Sequence, residues 1–156
     1  MLATEILKQD HREVMNLIEL LEQASDSDEE SVGADHLETF ARFRDALSLH
    51  MQAEEEIYYP ALATSEDFAD EMEDSVADHE MVKENLAQMS ALDPATDEFQ
   101  ELLTETRAAL EMHVTKEEDD LFPESIELLG EDRIRELGEE IMQLKNEGGM
   151  TQSARM

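Results

Sequence analysis

The segment His50-Met-Gln-Ala-Glu54-Glu55-Glu-Ile-Tyr-Tyr59-Pro60 recurs 63 residues downstream (113 − 50) as His113-Val-Thr-Lys-Glu117-Glu118-Asp-Asp-Leu-Phe122-Pro123. The histidine, both glutamates, the aromatic and the proline keep their offsets. A histidine and a glutamate four residues apart stand one turn above each other on a helix, and so share a face. Here that face is also the apolar one. Phe40, Phe43 and Leu47 lead by helical steps to His50 and Glu54, and Phe99, Leu103, Thr106 and Leu110 lead to His113 and Glu117. Burying an unpaired carboxylate costs several kcal/mol, so whatever fold this chain adopts must bring positive charge to two of them.

The remaining periodicity fills in the fold. A first helix runs from Leu2 to about Leu21, with Leu7, His11, Val14, Ile18 and Leu21 on its stripe and Thr4 as its cap. Residues 25–33 form a polar connection ending in Gly33, without the ligand spacing of a calcium loop. A second helix begins near Asp35, and Pro60 marks its weakening or end. A third, opening near Glu66, carries Met72, Val76, His79, Val82 and Leu86, and Asp93-Pro94 closes it. The fourth extends from about Ala95 past Pro123, and Gly130 separates a last amphipathic helix with Ile134, Leu137 and Ile141.

Strand signals are missing, so the expected class is all-α: an up-down-up-down antiparallel four-helix bundle with an additional short C-terminal helix closing one side. The domain spans 1–147, and Gly148-Gly149 opens a frayed tail over 148–156. Asp10-His11 and Val14 return as Asp78-His79 and Val82, 68 residues on (79 − 11), so the bundle reads as two duplicated hairpins.

A bundle allows the heights of the polar residues to be compared. Counted from the shared end at 1.5 Å per residue, His11 lies roughly 14 Å in, His79 roughly 20 Å, Glu54 and Glu117 roughly 14–15 Å, and His50 and His113 about one turn deeper. All six side chains can share one level. Four imidazoles and two carboxylates at one level suit a dinuclear site in which His11, His50, His79 and His113 are shared between two ions and Glu54 and Glu117 bridge them. Iron is the first expectation, and manganese and zinc use the same donors. Lys83 and Lys116 are the candidate protein counterions.

Composition excludes other chemistries. With no cysteine, thiol catalysis, structural disulfides, zinc fingers and iron–sulfur frameworks are ruled out for these residues. The net charge of −31 is spread along the chain and makes nucleic acid and anionic membranes poor partners. Molar salt shortens the Debye length to about 3 Å and removes such self-repulsion, which is the expected setting of a salt-adapted protein. No membrane span or signal peptide is readable, and the expected location is the cytoplasm.

The order His11, His50-x3-Glu54, His79, His113-x3-Glu117, with Glu-Glu and aromatic-Pro following in each repeat, resembles the hemerythrin-like, or HHE cation-binding, domain over about Leu2 to Ile126. The resemblance implies one iron on His11 and His50, the other on His79 and His113, and Glu54 and Glu117 bridging both. Oxygen-carrying members have a fifth histidine where this chain has Lys83, and an Asp five residues after the fourth-helix His where this chain has Glu117 at four. The resemblance therefore points away from oxygen carriage. It points to the branch that senses oxygen or nitric oxide, handles iron, or repairs iron–sulfur centres under oxidative stress.

The expected function is a non-haem diiron protein that binds or reacts with oxygen, nitric oxide or peroxide. Two rivals remain: a diiron oxidase or peroxidase, and a metal-free acidic helical adaptor. A ferritin-like centre needs Glu-x-x-His pairs, which this chain lacks. His36 lies too far along the axis to join the site. Tyr58, one turn after Glu54, is either a core aromatic or a group pointing at the metals, while Glu55 and Glu118 are solvated or support the ligands from outside.

Overall fold

A computed structural model describes the backbone of residues 1–26 and 30–154 and the side chains of residues 1–24 and 35–147. Helix α1 spans Ala3–Glu22. Helix α2 is a continuous rod over residues 30–63, built from Glu30–Ala53, a widened π turn at Glu54–Tyr58 and Tyr59–Ala63. Helix α3 spans Glu66–Met89. Helix α4 covers residues 97–129 as Asp97–Lys116, a second π turn at Glu117–Leu121 and Phe122–Leu129. Helix α5 is Glu131–Ala154. The described residues contain no strand, and the four-helix bundle with a fifth helix is the observed fold.

Several boundaries differ from the sequence reading. Helix α2 opens at Glu30, five residues ahead of Asp35 (35 − 30), and the middle of the expected 25–33 connection, residues 27–29, lies outside the described residues. Thr4 is not the cap of α1. Leu2 holds that position, with its N–H donating to Glu5 Oε1 at 3.1 Å, and Thr4 is buried. Helix α5 continues through Gly148-Gly149 to Ala154, and the side chains of the expected tail lie outside the described ones.

Neither proline ends its helix. Inside an α-helix the Pro60 ring would collide with the carbonyl of the residue four before it, Glu56, and leave a hydrogen bond unmade. The helix meets this by taking up an extra residue in the turn just before Pro60, and again just before Pro123.

Apolar side chains gather in two clusters, one in each half of the bundle. The first joins Val14, Ile18, Phe43, Leu47, Leu86 and Phe99 from four helices. The second joins Leu7, Tyr58, Leu62, Met72, Phe122 and three residues of α5, Ile134, Leu137 and Ile141. Helix α5 therefore closes the second half by covering α1 and the ends of α2 and α4. Gly138 makes the approach to α1 possible: a Cβ there would overlap the Met1 carbonyl oxygen and lie 2.9 Å from the Ala3 nitrogen. Gly130, at φ +83°, supplies the reversal that turns α4 into α5.

Candidate metal centre

The level between the two apolar clusters is polar. His11, His50, Glu54, His79, His113 and Glu117 are all buried there, contributed by α1, α2, α3 and α4. The four Nε2 atoms converge on the two carboxylates. Glu54 Oε1 lies 3.1 Å from His50 Nε2, 3.2 Å from His79 Nε2 and 3.6 Å from His113 Nε2. Glu117 divides its oxygens: Oε1 is 3.0 Å from His11 Nε2, and Oε2 is 3.4 Å from His113 Nε2. The Nε2 atoms of His79 and His113 face each other at 3.3 Å.

Two groups of ligand atoms result, each within 4.8 Å: His11, His50, Glu54 and Glu117, and Glu54, His79 and His113. These are the six side chains picked out from the sequence. His36 is half-buried and stands apart from them.

The centre is poorly satisfied by protein alone. Both oxygens of fully buried Glu54 and the Nε2 of His50 have no aligned hydrogen-bond partner, although ring nitrogens lie close by. Buried polar atoms are otherwise almost always paired. A convergent set of imidazole nitrogens and carboxylate oxygens with unused lone pairs is the donor set of a divalent or trivalent metal ion, so the residues present fit a metal.

Charge fills part of the gap. Burial alone would depress the His50 imidazole, but the Glu54 carboxylate and the Asp10 hydrogen bond hold it up at about 10. His113 is likewise lifted against burial, by Glu117 and Glu54, to about 11. Burial pushes the Glu54 carboxyl up, and the surrounding imidazoles, His50 foremost, override this and hold it well below its usual range.

Outside this ring of six, carboxylates hold the other faces of the imidazoles. His11 Nδ1 donates to Glu118 at 3.0 Å, His79 Nδ1 to Glu55 at 3.0 Å, and His50 Nδ1 to Asp10 at 2.9 Å. The second glutamate of each Glu-Glu pair therefore steadies a histidine of the opposite hairpin. Such partners fix the tautomer, leaving Nε2 free to ligate. Lys83 reaches neither Glu54 nor Glu117; it binds Glu55 and Glu80.

The tyrosine that reaches the centre is Tyr59, not Tyr58. Its hydroxyl donates to Glu117 Oε2 at 2.9 Å and lies 3.1 Å from His113 Nε2. Tyr58 turns away, donating to Ser125 Oγ at 2.6 Å within the second apolar cluster. The π turn is the cause. An α-helical step of four from Glu54 leads to Tyr58, whereas the wider turn brings the residue five on to the same face. The second repeat behaves alike: Phe122, five after Glu117, stacks on His11 at 5.9 Å between centroids, as Tyr59 stacks on His79 at 5.5 Å. Only the first repeat carries a hydroxyl. Tyr59→Phe is expected to cost the metal-free protein about 1–3 kcal/mol, one donor to a buried carboxylate, measured by urea denaturation.

Comparison with curated proteins and with solved structures finds no match. The family model of the Hemerythrin HHE cation binding domain matches residues 2–125, a stretch that takes in all six converging side chains, and the chain belongs to that family.

Proposed function

We propose that this protein holds two iron ions, one with His11 and His50 and one with His79 and His113, with Glu54 and Glu117 shared between them. Iron bound there would supply a redox-active Lewis acid with room for a small exogenous ligand. The observation that carries the reading is Glu54, a fully buried carboxylate with no aligned donor among three facing imidazoles.

A cavity beside the centre supports the choice of ligand. It measures about 20 Å³ and is walled by all four histidines together with Val14, Met15, Leu47, Met51, Leu110 and Val114. A space of this size holds about one water-sized molecule and no organic substrate. Oxygen, nitric oxide or peroxide fits, which favours a gas- or peroxide-responsive protein over an oxidase acting on an organic substrate. The output is sensing, iron handling or oxidative-damage repair.

The test is an electronic absorption spectrum of iron-loaded protein, before and after reduction and then with nitric oxide or azide, in salt concentrated enough to screen the −31 charge. A visible charge-transfer band that shifts with the added ligand is the expected result. A chain that takes up no iron, or bands that ignore both ligands, would sink the proposal.

A further inference from the structure

The duplicated hairpins present the same ligand types, yet the fold surrounds the two halves of the centre differently. In the first hairpin Asp10 turns inward onto His50 Nδ1 and is itself held by Lys145 from α5. The residue equivalent to Asp10 in the second hairpin is Asp78 (10 + 68). Asp78 is exposed, and among the described residues no carboxylate pairs with His113 Nδ1. The difference follows from topology, because α5 packs on α1, α2 and the end of α4, and its Lys145 reaches Asp10 on α1.

Access is unequal in the same sense. A groove of about 280 Å³ beside α1 and α2 stops at Asp10 and Lys145 and includes neither His11 nor His50 in its walls. Between α3 and α4, a groove of about 180 Å³ reaches His79 and His113 directly. Exposed Met81 and Met112 stand beside it, and it shares Leu110 and both histidines with the inner cavity. The ligand sets differ too: His11, His50, Glu54 and Glu117 all offer atoms within 4.8 Å of one another, whereas on the other side only Glu54 joins His79 and His113 at that spacing, and Glu117 approaches His113 at 3.4 Å.

We infer that the two metal positions are functionally unequal: the ion at His11 and His50 is the retained one, and the ion at His79 and His113 exchanges with solvent through the α3–α4 groove. This rests on the dinuclear reading above and adds a direction of traffic to it. A metal ligand whose imidazole lacks its outer carboxylate binds about 10–100-fold less tightly, and an open groove gives water and competing chelators a path to it. The chain would thus keep one ion while gaining or losing the other, which is what a protein responding to iron supply requires.

Chelator challenge of protein loaded anaerobically with Fe(II) tests this, with release followed by absorbance and the species counted by native mass spectrometry. Two phases of equal amplitude are expected, separated by about 10–100-fold in rate, with a one-iron species accumulating between them. His79→Ala/His113→Ala protein should keep one ion at the slow rate. Asp10→Ala should accelerate the slow phase towards the fast one. Ala109→Phe, which narrows the groove at a residue that is not itself a ligand, should slow the fast phase alone, with circular dichroism confirming the fold and metal analysis confirming two ions per chain. Loss of both ions in one phase, or a fast phase indifferent to Ala109→Phe, overturns the inference and leaves the dinuclear reading standing. A chain that binds no iron overturns both.

Discussion

Protein carrying Glu54→Gln and Glu117→Gln together is expected to lose both ions, falling from close to two metals per chain to background in elemental analysis. The geometry makes this the most severe pair of changes available. Glu54 Oε1 is within 3.6 Å of three imidazoles, and Glu117 is the residue that sends one oxygen to each side. Glutamine keeps the shape and removes the charge, so the loss reads electrostatics and ligation rather than packing. Glu54→Gln alone should weaken both positions, because Glu54 belongs to both groups of converging ligand atoms. His36→Ala, away from the centre, should leave metal content unchanged. A double variant that still holds close to two ions would show that the carboxylates are not the bridge.

All six of these residues are legible in the sequence, and the reason is geometric. A helix advances by a fixed rise per residue, so position along a bundle can be counted from the connections, and the duplicated His-x3-Glu steps fix the face. What escapes such counting is whatever depends on a local departure from the regular helix or on a distant element. Tyr59 is missed because the register is carried through an α-helical turn to Tyr58, while the chain takes a π turn there. The signal that could have found it is the proline directly after the aromatic in both repeats, which a regular helix cannot house. The Asp10–Lys145 contact spans almost the whole chain, and nothing in the local pattern distinguishes Asp10 from Asp78. That pair becomes unequal only when α5 settles on one side of the bundle.

Metal-free protein is expected to be most stable between about pH 4.5 and 6.5 and to lose stability on either side, whereas metal-loaded protein should lack the alkaline loss. The signs follow from the buried charges. His50 is held at about 10 and His113 at about 11, both above the ordinary 6.5, so protonation favours the folded state. That contribution is complete below 6.5 and disappears as pH rises through 10 to 11. Glu54 is held below its ordinary 4.5, so its contribution is present above 4.5 and is lost as pH falls through the depressed value. A metal ion replaces the imidazole protons, since neutral imidazole is the ligating form. Loading should therefore release protons, weaken in acid, and leave the folded state indifferent to the alkaline titration. At free metal about 1,000 times Kd each ion adds about 4 kcal/mol, or about 8–16 °C in Tm for a chain of this size. Thermal melts across the pH range, with and without metal, read both effects at once. If metal leaves Tm unchanged at every pH, nothing bound only to the folded state has been supplied, and the acidic-adaptor reading replaces the metalloprotein one.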